Sequence, residues 1–207
     1  MYIRFLGARG SISTPGKETV KYGGNTSCIE IRCGKEIFIL DAGSGIRELG
    51  NKIMSEKPQH INILFSHFHW DHIQGFPFFA PVFNSKYSIT LIGESKMNLN
   101  LEPLFSAQLM FPYFPLSLSE LDAKIGFYEM TKNDSIKKSD VNIKLARLNH
   151  PGGDVSCIRM STEASPLFML QTLNIPVVLI IHYSNSLWMQ MYWFMIVIIR
   201  MMNTLVK

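Results

Sequence analysis

The stretch that decides the fold is Ser66-His67-Phe68-His69-Trp70-Asp71-His72, and it directly follows the apolar run Ile61–Phe65. A compact apolar run of this length is typical of a buried β-strand. The sequence therefore predicts three imidazoles and one carboxylate, in the order H-x-H-x-D-H, gathered at the end of a buried strand. A lone histidine is more often an ordinary core or surface residue, but four metal-ligating residues at this spacing indicate a metal site.

The spacing of this cluster predicts two neighbouring ions. Side chains at alternate positions of an extended segment point the same way, so we expect His67 and His69 to reach one ion together. Asp71 and His72 follow where the chain turns out of the strand, and we expect them to face a second ion. Imidazole and carboxylate ligands suit zinc, manganese or iron, with zinc the usual choice in hydrolases. Two such ions can activate water and clamp a phosphoryl group.

A further candidate ligand is His150, which precedes the sequence Pro151-Gly152-Gly153. Proline and glycine together predict a tight loop after the strand expected over 141–147. Taken alone, His150 would be a surface histidine about as often as a ligand, but beside the cluster we predict it to be the next ligand. His60 and His182 have no such context, and we expect ordinary roles for them.

The pattern around the cluster predicts a mixed α/β fold. Ile29 and Ile31 alternate with Glu30 and Arg32, which predicts a half-buried strand over 27–33. Other apolar patterns predict strands over 2–6, 36–40, 61–65 and 88–92, and helices over 44–55 and 99–110. Strands and helices interleaved with hairpins indicate a layered α/β fold, of the α+β sandwich kind.

Composition excludes several classes of protein. The chain of 207 residues has a formal net charge of +4, which is no strong nucleic-acid signature. Three cysteines without a CxxC pair indicate neither a disulfide framework nor a cysteine zinc site, and suggest buried or free thiols in a reducing cytoplasm. The N-terminal residues do not resemble a signal peptide. We therefore expect a cytoplasmic protein.

The cluster resembles the motif of the metallo-β-lactamase superfamily. Further runs are similar to a branch of phosphodiesterase-like hydrolases related to RNase Z and to phosphoribosyl cyclic phosphodiesterases. The resemblance covers about three-quarters of the chain, and it lies in Phe5–Ser11, Tyr22–Cys28, His69–Gly75, Gln108–Pro115 and His150–Gly153.

The resemblance implies an αββα fold and a dinuclear site. His67, His69 and His150 would bind one metal, and Asp71 with His72 the other. Asp71 would be the catalytic residue that orients the attacking water and accepts its proton. The implied substrate is a small phosphodiester or a cyclic-nucleotide-like molecule. A homo-oligomer is left open.

Two further positions refine the resemblance. Asp41 would be a structural partner of the metal loop, although a residue at a strand end could equally be a turn cap. Trp70, together with the near-neutral charge of residues 1–163, makes RNase Z activity the less favoured choice.

The composition changes near residue 163. Residues 164–207 contain no glycine and no acidic residue, but six of the 12 methionines. Globular domains rarely lose turn residues and carboxylates together. We therefore predict a metallo-β-lactamase-like domain over 1–162 and an aberrant apolar tail over 163–207, so that the C-terminal half of the fold is incomplete or aberrant.

A frameshift after about residue 155 would explain the tail. The branch completes its site with an aspartate that bridges the two metals, in a segment like Tyr-Ala-Thr-Asp-Thr-Glu, and with a last histidine; neither is found here. Reading the codons of 168–174 one step out of frame permits that segment. Methionine and tryptophan have single codons, so the shifted Asp at Trp188-Met189 and the shifted Glu at Met202-Asn203 are forced.

Other interpretations stay open. Without a frameshift, the tail would be a divergent apolar C-terminus or a segment that contacts a membrane. A membrane span is not favoured, because the uninterrupted apolar run Met191–Ile199 is shorter than the roughly 20 residues that a span requires. The main functional prediction is a phosphodiesterase whose activity is impaired by the missing ligands. The alternatives are a non-catalytic metal-binding protein with an apolar association tail, and a hydrolase of thioesters or lactams.

Overall fold

The computed structural model describes residues 2–57, 59–94, 100–131, 134–150, 153–162, 167–171, 178–182 and 194–198. For 147–150, 153–155 and the last three of these segments, only the backbone is described.

Two β-sheets and three α-helices make up the described fold. The first sheet contains β1 (Tyr2–Gly7), β2 (Cys28–Cys33), β3 (Glu36–Leu40), β4 (His60–Leu64), β5 (Ser88–Glu94) and β6 (Lys124–Met130). The second contains β7 (Ser135–Lys138), β8 (Val141–His150), β9 (Gly153–Thr162), β10 (Leu167–Gln171), β11 (Val178–His182) and β12 (Phe194–Ile198). The helices are α1 (Ile46–Met54), α2 (Trp70–Ile73) and α3 (Leu101–Gln108).

The strand order places several loops at one edge of the first sheet. Its strands run in sequence order from β1 to β6, antiparallel from β1 to β3 and parallel from β3 to β6. The second sheet is antiparallel throughout, in the order β12 to β7. Because β3, β4 and β5 are parallel, their carboxyl ends meet at one edge, which is where α/β sheets usually bind ligands.

The first sheet is buried on both faces. One face packs on α1 and α3, through side chains that include Ile39, Ile63 and Leu91 from the sheet and Leu49 and Phe105 from the helices. The other face packs on the second sheet, through Ile31, Phe38, Leu40, Val141, Ile143 and Ile158. Burial on both faces explains why β3 and β4 are continuous apolar runs. The described layers are therefore helix, sheet and sheet.

The structure corrects one expectation for β2. Alternation predicted a solvent-facing Glu30, but its side chain is fully buried. Arg32 Nε donates to Glu30 Oε1 at 2.5 Å, and nitrogens of Arg4 and Lys52 lie 3.7 and 3.9 Å from Oε2. A buried carboxylate is tolerated when cations surround it. The alternation rule failed here because those cations come from three separate elements.

The strands and helices predicted around the metal cluster are all confirmed, with bounds that differ by no more than three residues. The predictions missed β6, β7, β9 and the short helix α2. In the predicted tail, the backbone of β10, β11 and β12 extends the second sheet; the other residues of 163–207 lie outside the described residues. The division of the chain at residue 163 therefore stays a prediction. Among the helices described here, none has the length and apolar character needed to cross a membrane.

The three cysteines are all buried and none forms a disulfide. Burial raises the pKa of Cys28 well above the ordinary value and also raises that of Cys33. Burial raises the pKa of Cys157 to about 11. The thiolate is the reactive form of cysteine, so we expect all three thiols to react slowly in the folded chain.

We predict that Ellman's reagent labels the folded protein slowly at about pH 8, since little thiolate is present or accessible. In denaturant, all three thiols should react rapidly. The measurement is absorbance against time with and without urea. A native thiol that reacts as fast as the unfolded ones would contradict the burial described here.

Gly75 is required by close packing of the loop that follows α2. A Cβ atom there would lie 2.1 Å from the carbonyl oxygen of Gly43 and 2.7 Å from Ile46 Cγ2. Both are far inside van der Waals contact, and backbone cannot move aside cheaply.

We therefore predict that Gly75→Ala lowers the free energy of unfolding by about 3 kcal/mol, measured by urea titration. Gly126→Ala is the matched control, because the nearest atom to its new Cβ would be 3.9 Å away. That control should change stability by less than about 1 kcal/mol. Equal effects of the two substitutions would show that the contact at Gly75 is not restrictive.

Candidate metal centre

The candidate site lies at the carboxyl edge of the first sheet. Asp41 directly follows β3, and Ser66 and His67 follow β4. Backbone bonds tie the loops together: Asp41 N donates to Leu64 O at 2.8 Å, and Ala42 N donates to His72 O at 2.7 Å. The residues after β3 are therefore hydrogen-bonded both to the end of β4 and to helix α2.

The three histidines of the cluster lie side by side. The ring centroids of His67 and His69 are 4.5 Å apart, and those of His67 and His72 are 4.0 Å apart. His67 and His72 are buried, Asp71 is partly exposed and His69 is exposed. The cluster therefore opens from the protein interior towards solvent. The turn that brings them together is α2, which has Asp71 and His72 as its second and third residues.

Asp41 is the hub that holds these loops. Its carboxylate is fully buried. Oδ1 accepts from Ser66 N at 2.8 Å and Ser66 Oγ at 3.0 Å, and Oδ2 accepts from Ser27 Oγ at 3.1 Å. His72 Nδ1 lies 2.7 Å from Oδ2. Asp41 adopts a left-handed backbone conformation, with φ of 60°, which aspartate tolerates better than most residues. Its contacts go well beyond those of a turn cap.

The charges of Asp41 and His72 support each other. Burial by itself lowers the pKa of His72, but the nearby Asp41 carboxylate outweighs burial, and the pKa is raised. Burial by itself raises the pKa of Asp41, but His72 outweighs burial, and the pKa is lowered. The pair is thus held together by both charge and a hydrogen bond.

The second ring nitrogen of His72, Nε2, lies near Asp71. When Nδ1 donates to Asp41, the lone pair of a neutral ring is on Nε2. His72 Nε2 lies 3.5 Å from Asp71 Oδ2. Two ligands of one metal ion, each about 2.0–2.2 Å from it, are separated by about this distance. A carboxylate partner on the far nitrogen is also the usual support of a metal-binding histidine.

Asp71 is held from the opposite side by the first loop of the chain. Ser11 N donates to Asp71 Oδ2 at 2.8 Å. Ser11 has a left-handed backbone, with φ of 69°, so this loop is bent to present its amide. The position of the carboxylate is thus set by two separate elements.

The site is incomplete within the described part of the chain. There, no three His, Cys, Asp or Glu side chains meet in an arrangement that could hold a metal ion. Asp71 and His72 fit as a pair, and His67 and His69 have the right chemistry beside them. The backbone of His150 ends β8 and pairs with Gly153, but its side chain lies outside the described residues. His150 as a ligand therefore stays a prediction.

Comparison with solved structures gave many matches of one fold. They include a diphosphatase from the PhnP family, with a TM-score of 0.58 and 14% identity, over 77% of this chain and 62% of that one. They include human tRNase Z, short form, with a TM-score of 0.54 and 18% identity, over 79% of this chain and 66% of that one. YhfI from Bacillus subtilis is titled a metallo-beta-lactamase fold protein, and it matches with a TM-score of 0.52 and 14% identity, over 77% of this chain and 56% of that one. The chain has the metallo-β-lactamase fold.

The chain spans about three-fifths of the length of these matched structures. No protein-family model matches the sequence, and comparison with curated proteins gave no match. The fold class predicted from the sequence is confirmed by the matches to solved structures.

Some residues that support the site in this metallo-β-lactamase fold were not predicted. Ser66 links Asp41 to the cluster and lies 3.1 Å, through Oγ, from His67 Nδ1. Gln108 Nε2 donates to Ile73 O at 2.8 Å, which joins α3 to the end of α2. The position of Ser66, directly before His67, was the one available signal. Gln108 begins one of the runs that carry the family resemblance, but no local pattern predicted its partner, which is 35 residues away.

We predict that Asp41→Asn lowers the free energy of unfolding by about 2–3 kcal/mol, since an amide leaves a buried donor without an acceptor. Asparagine also tolerates the left-handed backbone, so strain is not added. Urea titration is the measurement. Ser27→Ala is the control, because it removes one donor to the same carboxylate and should cost less than about 1.5 kcal/mol. An equal cost for both substitutions would show that Asp41 is not the hub.

Proposed function

We propose that the protein is a metal-dependent hydrolase of the phosphodiesterase type. The observation that supports this most directly is the gathering of His67, His69, Asp71 and His72 at the carboxyl edge of the first sheet. Imidazoles and a carboxylate at a solvent-open sheet edge are suited to a hydrolytic metal site.

The proposed cofactor is a pair of divalent metal ions, with zinc first and manganese or iron as alternatives. His67, His69 and His150 would hold one ion, and Asp71 and His72 the other. PqqB from Methylobacterium extorquens has been solved as a Zn²⁺-bound protein, and it matches this chain with a TM-score of 0.51 and 11% identity over 79% of this chain and 62% of that one. Bound ions would activate water and neutralise charge on phosphoryl oxygens.

Asp71 is the proposed catalytic residue. Its side chain is 14% exposed, so one side of the carboxylate reaches the open mouth of the site. Ser11 N holds Oδ2 from one direction and His72 lies on the other. Asp71 would orient the attacking water and accept its proton.

The proposed substrates are small phosphodiesters or cyclic-nucleotide-like molecules. Support comes from the diphosphatase and the tRNase Z that share the fold, because both names denote cleavage of phosphorus–oxygen bonds. The modest net charge of +4 favours a small substrate over a long nucleic acid, which needs many cationic contacts.

We also propose that activity is impaired in this chain. The expected bridging aspartate and last histidine are not found in the sequence, and no third ligand joins Asp71 and His72 among the described residues. The second ion would therefore be held weakly. Without the second ion, only one metal ion would stabilise the phosphoryl group during hydrolysis.

The test combines metal analysis with an activity assay. We expect the purified chain to bind about one zinc ion tightly, to bind a second weakly, and to hydrolyse bis-p-nitrophenyl phosphate slowly or not at all. His67→Ala should weaken the tight site by more than the roughly 10–100-fold that loss of an outer partner costs. Metal content is measured by mass spectrometry and affinity by chelator competition.

The control is His60→Ala, since His60 begins β4 at the opposite edge and bonds Ser88 instead. It should leave metal binding unchanged. A chain that binds no metal would overturn the hydrolase proposal. Two tightly bound ions with rapid turnover would overturn the impairment, and rapid hydrolysis of thioesters or lactams alone would overturn the choice of substrate.

A further inference from the structure

A buried polar pair joins the two sheets beside the candidate site. Glu94 is the last residue of β5 in the first sheet, and Ser156 lies in β9 of the second. Their exposed fractions are 2% and 1%. Ser156 Oγ donates to Glu94 Oε2 at 2.8 Å. The surrounding sheet-to-sheet contact is apolar, so this pair is a polar contact at the edge of an apolar interface.

The same serine also contacts the metal loop. Ser156 N donates to Ser66 O at 2.8 Å. Ser66 directly precedes His67, and its own amide and hydroxyl donate to Asp41. Ser156 therefore joins Glu94, through its side chain, to the Asp41 hub, through its backbone.

Ser156 is close to the end of the hairpin that carries His150. In the β8–β9 pair, Ser156 is opposite Arg147 and Gly153 is opposite His150. Ser156 is three positions along β9 from Gly153, which is about 10 Å of strand. The contact of Ser156 with Ser66 therefore fixes the β8–β9 hairpin, close to its end, relative to His67.

The buried carboxylate of Glu94, at the edge of an apolar interface, indicates a role other than core packing. Burial of a carboxylate is unfavourable unless hydrogen bonds compensate for lost water. An apolar residue at Glu94 would extend the core at lower cost. A directional hydrogen bond, unlike apolar packing, fixes the distance and register of the second sheet against the first.

We propose that Glu94 and Ser156 are positioning residues for the proposed metal centre, and that they hold the β8–β9 hairpin, which contains the proposed ligand His150, against the loop that contains His67. This inference rests on the proposed metal site, but it concerns how that site is assembled. It assigns a role to two residues that contact neither the metal nor the substrate.

The first experiment measures zinc affinity in substituted chains. Ser156→Ala and Glu94→Ala should each weaken the tighter zinc site by about 10-fold, as loss of an outer partner does. Glu94→Gln should retain affinity within about 3-fold, because its amide oxygen still accepts from Ser156. Ser88→Ala is the matched control: Ser88 begins β5 at the other edge and bonds His60, so its loss should leave zinc affinity unchanged.

A second background separates positioning from general destabilisation. In a His150→Ala chain, Ser156→Ala should no longer change zinc affinity, because the residue that it positions is gone. The melting temperature should still fall by the same amount in both backgrounds. If Ser156→Ala weakens zinc binding equally with and without His150, or leaves it unchanged in the parent chain, the proposal is overturned.

A metal-free measurement distinguishes this proposal from the function itself. Amide hydrogen exchange of peptides covering 147–156 should be faster in Ser156→Ala and Glu94→Ala than in the parent or in Ser88→Ala. A parent chain that binds no zinc overturns the metal function. Unchanged exchange in both alanine variants overturns the positioning role, whatever the result with zinc.

Discussion

The structure depends most on one buried carboxylate, that of Asp41. It accepts hydrogen bonds from the backbone and hydroxyl of Ser66, from Ser27 and from the ring of His72. These donors come from Ser27, directly before β2, from the loop after β4 and from α2. A buried charge is stable only while such partners stay in place. The hydrogen bonds that the Asp41 carboxylate requires therefore hold three segments of the chain together.

The arrangement of the candidate metal centre follows from this constraint. Parallel strands deliver Asp41, His67 and Glu94 to one sheet edge, and the hydrogen bonds of Asp41 and Ser11 orient His72 and Asp71. The second sheet joins the same network through Ser156. The candidate site thus lies where the two sheets meet.

Much of the fold was predictable from local pattern. The strands and helices with a compact apolar run or a helical spacing, such as β3, β4 and α1, were predicted within a few residues. β7 was missed because Ser135-Ile136-Lys137-Lys138 is short and polar, as edge strands often are. Glu30 was predicted to face solvent because alternation does not show which cations will surround a side chain. The cluster His67, His69, Asp71 and His72 was predictable because all its members lie within six residues.

The sequence alone identified the candidate ligands of the site and the strand that they follow, because both are encoded in one short segment. The metallo-β-lactamase fold followed from the same motif and was confirmed by structure. The tertiary structure decided between the two roles that the sequence left open for Asp41, and it alone showed that Ser11 positions Asp71. It also placed Glu94 against Ser156. These partners are 31, 60 and 62 residues apart, and a contact between distant residues depends on how the chain folds in three dimensions, which no local pattern records.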